Sequence, residues 1–417
     1  MDIETWSVDE ALAVAASLDI AALPACEPVM LADALGRALS HAVVAPIDIP
    51  ARDNAAMDGI AWSHAPVVPH GGLRIAGSVL AGDRVDAIEL APGECVRIMT
   101  GAALPAACDT VTPIEQCRLD HDRVVFSSAL ARGAHVRRRG EDIEQGAPAL
   151  PGGRRIGAAE IALLAALGIE RIDVRTRLRV AVISTGKELV RAGHAPARTP
   201  GSATVFDSNA PMMLALLQAI GVQPVDGGTV DDDAPALLAA VTAAARRADV
   251  VITTGGTGGG DADHASALAQ LGWLRSAHVA IKPGRPLGLG EIRLDHADAP
   301  SVPLFCLPGN PVAALVSYLM FVRVRLLAWQ GIEPHPIDRF ELPVSEAIDK
   351  RPGRVEVLRA RYERAATGLR IAPLPQQGSG MLGSLGAADA LIVLPEPRGG
   401  VAIGETVEVW PLAGLLG

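Results

Sequence analysis

The feature that most constrains this chain is a run of β-branched and apolar residues that ends in glycine. Val250-Val251-Ile252-Thr253-Thr254 leads without a break into Gly255-Gly256-Thr257-Gly258-Gly259-Gly260, and a helical pattern opens near Ala262. A strand with no polar alternation has to be covered on both faces. The strand, loop, helix rhythm recurs from about residue 173 to 327. Residues 178–183, 279–282 and 304–307 read as further strands, and 209–220 and 234–247 as helices. Pro311–Trp329 reads as a long helix with proline in its first turn, where the missing N–H costs nothing. This alternation predicts a doubly wound parallel sheet with helices on both faces.

The flanks have a different texture. Ser7 followed by Glu10 fits a capping box ahead of an apolar periodic run, which predicts a first helix. A second short helix is expected over 29–39, then extended chain over 43–50. Between 46 and 144, short β-like runs such as 73–76 and 95–99 alternate with Gly and Pro turns. Residues 156–167 return to helix, ended by Gly168. The last stretch carries short strands at 354–358, 390–394 and 406–410. The expected division is a discontinuous helical and linker domain (1–45 with 145–172), an inserted β-rich domain (46–144), an α/β domain (173–327) and a C-terminal β domain (328–417).

Composition narrows the function classes. The 417 residues are 49% hydrophobic but only 3% aromatic, so the core must rest on Ala, Val, Leu and Ile. A net charge of −10 argues against nucleic acid as a partner, because phosphate backbones demand clustered Lys and Arg. The five cysteines are odd in number and contain no Cys-x-x-Cys pair, which argues against a disulfide framework or a structural zinc. The start, Met1-Asp2-Ile3-Glu4, lacks the regions of a signal peptide, and no apolar run reaches the ~20 residues of a membrane span. A soluble, cytoplasmic protein without membrane contact is expected.

Several motifs combine carboxylates with glycines or cations. At Gly255 and Gly256 the backbone can approach a phosphate at the carboxyl end of a strand, and Asp263 follows shortly. Neither G-x-G-x-x-G nor a Walker A spacing is present. Ser184-Thr185-Gly186-Lys187-Glu188 ends another strand, where hydroxyls and N–H groups can hold a ligand. Glu188 reads either as a ligand to a metal or hydroxyl, or as a solvated acid. Asp231-Asp232-Asp233 precedes a helix, so one acid is an N-cap and another can face a site. Asp58 and Asp142, near the two ends of the inserted domain, are hard oxygen donors suited to Mg²⁺ with phosphates as co-ligands. Lys282-Pro283-Gly284-Arg285-Pro286 brings two cations together in a rigid turn, a geometry for a tetrahedral oxyanion that Arg354 and Ser379 could complete. Pro308 lies in Leu307-Pro308-Gly309-Asn310-Pro311, either a ligand loop or a structural turn.

With these motifs in this order, the chain resembles the molybdopterin molybdenumtransferase family (MoeA and the E domains of gephyrin and plant Cnx) over nearly its whole length. The resemblance rests on 53–59, Arg97-Ile98-Met99-Thr100-Gly101-Ala102, 137–142, 184–188, 254–263, 282–286 and 307–311. It implies four domains, with a central MogA-like molybdopterin-binding α/β domain. It implies an elongated homodimer whose site lies between the α/β domain of one subunit and other domains of its partner. It implies the insertion of molybdate into adenylylated molybdopterin with release of AMP, aided by Mg²⁺. A molybdopterin adenylyltransferase and molybdoenzyme-maturation proteins follow as partners. Carried over by position, Asp58, Asp142, Glu188, Asp232 and Asp263 look like the functional carboxylates, with Asp58, Asp142, Glu188 and Asp263 toward metal. Thr100, Ser184, Thr185, Gly186, Gly255, Gly256, Lys282, Arg285, Pro308, Arg354 and Ser379 look like ligand contacts. The chain departs from the family at Gly258, His264, His278 and Ala313. Those departures point to an altered oxyanion site, to tungstate use, or to a non-catalytic molybdopterin carrier. A molybdopterin adenylyltransferase activity is a further alternative, against which the flanking domains and Asp58 argue.

Overall fold

The computed structural model describes residues 4–20, 25–64, 72–127, 131–193, 204–256, 262–294, 301–332, 337–366 and 368–416. Its centre is a seven-stranded sheet in the order Glu4–Trp6, Gly272–Val279, Pro286–Arg293, Ser301–Leu307, Val250–Thr254, Arg179–Thr185 and Gln223–Val230. The last four of these strands run parallel to one another. Val180 and Val182 point into one apolar cluster with the helix Asn209–Ala219 and the long helix from Pro311. Ala181 and Ile183 point into another with the helix Ala234–Ala245. Strand residues alternate between faces, so a run apolar at every position is what two helical layers require.

The sheet is not parallel throughout. Gly272–Val279, Pro286–Arg293 and Ser301–Leu307 form an antiparallel meander. Only residues 280–285 join the first two, and a parallel return needs a crossover of about a dozen residues or more. The strand Glu4–Trp6 pairs in parallel with Gly272–Val279, so the chain's first described residues close the edge of this sheet. The first helix, Val8–Ser17, opens on the expected capping box of Ser7 and Glu10.

The helix expected over 29–39 is replaced. Cys26–Met30 pairs antiparallel with Arg171–Arg175, and only a short 3-10 turn, Leu31–Asp33, follows. Pro28 lies inside that strand, and Gly36 takes a positive φ of 76°, so neither end of the segment suits a helix. Pro311–Trp329 is helical, with a π turn over Tyr318–Val322. By length and composition it could cross a membrane, but 72% of it is buried inside the fold.

The inserted β region forms a six-stranded sheet in which Ile60 and Trp62 face one apolar cluster and Ala61 the other. A second six-stranded sheet, from the last part of the chain, contains Val355–Ala365, Ala390–Leu394, Thr406–Pro411 and Phe340–Pro343. Its first strand is borrowed: Ile281–Lys282 pairs in parallel with Val355 and Glu356. This short strand ties the C-terminal sheet to the turn that follows Gly272–Val279 and sets Lys282 opposite Glu356.

Candidate functional site

Four parallel strands end at one cavity of about 1080 Å³. Thr185 and Glu188 come from the end of Arg179–Thr185, Asp232 from the loop after Gln223–Val230, Thr254, Gly255 and Gly256 from the end of Val250–Thr254, and Pro308 to Pro311 from the end of Ser301–Leu307. The carboxyl edge of such a sheet is where the loops diverge and leave a crevice. The opposite wall consists of Lys282 to Pro286, Arg354, and Gln377 to Gly380 of the C-terminal sheet's loop.

Glycine is required at the strand end. Gly255 has φ +95°, and a Cβ there would lie 2.3 Å from the Thr185 carbonyl oxygen. Gly256, at φ +65°, would put a Cβ 3.0 Å from both Thr185 Oγ1 and His264 Nδ1. Those two polar atoms are buried and have no partner among the described residues. Beneath them Ser184 is fully buried and shares a 3.2 Å hydrogen bond with Thr254 Oγ1, so it braces adjacent strands and does not line the cavity. Gly186 is also set back; the Glu188 carboxylate occupies the space a side chain would take, 2.7 Å from the position of its Cβ.

Of the three successive acids, Asp233 is the N-cap, accepting from the Ala236 N–H at 2.9 Å, and Asp232 lines the cavity. Asp207 was not singled out from the sequence. It is buried, and its Oδ1 accepts from the N–H groups of Asn209 (2.9 Å) and Ala210 (3.1 Å). Asn209 Nδ2 donates to the Gly309 carbonyl at 2.7 Å, tying this helix start to the 308–311 turn. The signal available was an Asp-Ser-Asn triplet before an apolar helical run, a capping pattern.

The cations stand on the other wall. Lys282 Nζ donates to Glu356 Oε1 at 3.2 Å, and that carboxylate is nearly buried. Arg285 and Arg354 are exposed and form no ion pair among the described residues. Gly284 makes the turn at φ +108°, packed against Ser317 and Ala313. The positive end of the helix dipole at Pro311 faces the same space, which further favours an anion.

The inserted domain's motifs are built as carefully but stand elsewhere. Asp58 Oδ1 accepts from both the N–H and the Oγ1 of Thr100, each at 2.7 Å. These bonds, the backbone one first, hold the Asp58 carboxyl below its usual range. Arg138 pairs with Asp53 at 2.7 Å, the Arg139 N–H donates to Asp53 Oδ1 at 2.8 Å, and the Arg139 side chain pairs with Asp48. Strand Val136–Arg137 pairs with Asn54–Ala55, so two motifs some eighty residues apart in sequence are stitched together. None of Asp58, Thr100 and Asp142 lines the cavity.

Within one chain the four carboxylates read toward metal do not form a single cluster. Asp58 and Asp142 do not converge with Glu188, and among the described residues no three His, Cys, Asp or Glu side chains form a metal site. The Asp263 side chain and Gly258 lie outside the described residues. Of the remaining departures, Ala313 lines the cavity, His264 is buried beside Gly256, and His278 sits on the strand away from it. Burial, and then the nearby Arg285 charge, push the His278 pKa down.

Three family models match consecutive parts of the chain. They are the MoeA N-terminal region (domain I and II) over residues 6–168, the probable molybdopterin binding domain over 181–328, and the MoeA C-terminal region (domain IV) over 341–412. The molybdopterin molybdenumtransferase of Haemophilus influenzae is 33% identical over 396 residues, covering 93% of this chain and 94% of that one. That of Synechococcus elongatus is 32% identical over 400 residues, covering 94% and 96%. The crystal structure of the molybdopterin biosynthesis MoeA protein of Pyrococcus horikoshii superposes with a TM-score of 0.81 at 26% identity, over 98% of this chain and 100% of that one.

Proposed function

We propose, since this chain belongs to the molybdopterin molybdenumtransferase family, that it inserts molybdate into adenylylated molybdopterin and releases AMP. The observation that carries this reading is the two-walled cavity. One wall is a glycine-floored strand edge with hydroxyls and carboxylates. The other is a cluster of three cations, Lys282, Arg285 and Arg354. The first wall suits a phosphate-bearing ligand that must come close to the backbone; the second suits a doubly charged oxyanion.

On this reading Gly255 and Gly256 admit the adenylate phosphates to the strand ends, and the Thr185 hydroxyl supplies a donor. Glu188 and Asp232 orient hydroxyls or ordered water beside them. Lys282, Arg285 and Arg354 gather molybdate and neutralise it as it nears the two sulfurs, and the restricted geometry supplies much of the rate. Glu356 holds the Lys282 ammonium at a fixed place in the wall. Molybdenum is cargo in this reaction; the dithiolene chemistry belongs to the ligand.

Asp58, Thr100 and Asp142 would enter from a second copy of the chain, completing a site that a single chain leaves open. Mg²⁺ would then need carboxylates from both copies. The reading includes a cytoplasmic location, where the five free thiols stay reduced. The test is AMP release from adenylylated molybdopterin, with and without molybdate, by wild type and Asp58→Asn. Molybdate-dependent release that the variant loses supports the transferase. Tight binding of the adenylate with no release by wild type replaces it with a carrier role.

A further inference from the structure

Arg359 has no solvent exposure, yet it forms no ion pair among the described residues. All its side-chain hydrogen bonds go to one stretch of the C-terminal sheet's loop and to the serine just beyond. Nη2 donates to the carbonyls of Gln376 and Gly378, each at 2.9 Å, Nη1 to that of Gln377 at 3.1 Å, and Nε to Ser384 Oγ at 3.2 Å. Its backbone is bound as well: the Arg359 N–H donates to Gln377 Oε1 at 3.0 Å, and Gln377 Nε2 donates back to the Arg359 carbonyl at 2.8 Å. A buried guanidinium bound only by carbonyls and one hydroxyl is costly, since no counter-charge offsets its desolvation.

The consequence appears on the other side of the loop. A peptide group is planar, and in the trans form its N–H points opposite to its C=O. Three consecutive carbonyls turned toward Arg359 therefore turn the N–H groups of Gln377, Gly378 and Ser379 away from it. None of these three N–H groups donates a hydrogen bond among the described residues. All three residues line the cavity, on the wall that carries Arg354 and Lys282. Binding a cation at the oxygen of a peptide also makes its N–H a stronger donor.

We infer that Arg359 is a positioning residue: it fixes and polarises three successive peptide groups so that the N–H groups of Gln377, Gly378 and Ser379 donate to the oxyanion in the cavity. The inference rests on the proposed molybdate reading and deepens it. Arg359 does not touch the oxyanion; it acts through the loop, and it explains why a cation is buried one layer behind exposed cations that appear sufficient for charge.

The experiment uses the full chain with molybdate as probe. In wild type labelled with ¹⁵N, molybdate titration should shift the amide resonances of Gln377, Gly378 and Ser379. Arg359→Lys keeps the charge but loses the fork. It should weaken molybdate by about tenfold or more while leaving adenylylated molybdopterin affinity within about twofold, the size expected for losing hydrogen bonds to a charged ligand. Ser384→Ala, which removes one anchor of Arg359, should move molybdate affinity the same way by less. Amides that stay still on titration overturn the inference, even if Arg359→Lys fails to fold. So does equal weakening of both ligands in step with a lowered melting temperature, the mark of a merely structural arginine. Failure of wild type to bind molybdate at all, with the adenylate still bound, overturns the oxyanion reading itself and the Arg359 role with it.

Discussion

The cavity wall at Lys282 to Pro286 and the Asp58 corner of the inserted domain are equally marked in sequence, but the chain treats them differently. Around Lys282, residues from three separate stretches (281–286, Arg354 and 377–380) line one space; Lys282 pairs with Glu356, while Arg285 and Arg354 form no ion pair among the described residues. Around Asp58, charges are mostly consumed: Arg138 and Arg139 by Asp53 and Asp48, and Asp58 by Thr100. The first region lines a cavity within one chain. The second holds its carboxylates by hydrogen bonds within the inserted region, and neither Asp58 nor Asp142 lines that cavity. The contrast teaches that motifs equally prominent in sequence can end in different surroundings, one on an open cavity and the other bonded within its own region.

If that contrast is right, substitutions on the two sides separate binding from turnover. The largest effect is expected from Asp58→Asn, with AMP release falling by about 100-fold or more while molybdate affinity stays within about twofold, because a group used only during reaction lowers rate and not ground-state binding. Stopped-flow release and calorimetry measure the pair; parallel losses in both would erase the distinction. Lys282→Ala should do the converse first, weakening molybdate by roughly 10- to 150-fold, the loss expected when a charged hydrogen bond is removed. Unchanged affinity there would shift the oxyanion site away from this wall.

Smaller effects concern how each region is built. Gly255→Ala forces a Cβ against the Thr185 carbonyl at positive φ, and should cost about 1–3 kcal/mol in urea unfolding. No loss of stability would mean the strand edge relaxes freely. The smallest effect is in pH. The Asp58 carboxyl is depressed by the Thr100 bonds, so its contribution to stability is present above its unfolded pKa near 3.8 and is lost as pH falls through the lower folded value. Melting should therefore be less sensitive to Thr100→Val substitution as pH falls below 3.8 than at pH 6. A reversed sign would remove Asp58 and Thr100 as a preorganised pair.

The same contrast explains what was legible in the sequence. The strand Val250–Thr254 and its glycines are legible because its first three residues are apolar on both faces, all five are β-branched, and the positive φ at 255 and 256 suits glycine. The 29–39 segment was misread as helix, since its pairing with Arg171–Arg175 is fixed by residues some 140 positions away. The antiparallel meander was hidden for the opposite reason: the alternating rhythm was real, but a six-residue connection at 280–285 cannot make a crossover. Among cavity-lining residues, Lys282 and Arg285 are legible as two charges in a rigid turn. Asp207 and Arg359 were missed because a cap and a buried guanidinium show no local pattern that separates them from ordinary surface residues. Ser184 reads as a ligand contact from sequence, whereas its hydroxyl faces Thr254 on the neighbouring strand.

The most direct measurement mixes two variants. Asp58→Asn and Lys282→Ala, each strongly impaired alone in AMP release at molybdate near the wild-type Kd, are unfolded and refolded together and assayed with adenylylated molybdopterin at that molybdate level. If the cavity of one chain is completed by the inserted domain of another, random pairing restores about a quarter of wild-type activity, because half the pairs then hold one intact site of two. Recovery at that level is the predicted result. No recovery from a mixture shown to contain the mixed pair would mean that each chain works alone, and would contradict the account.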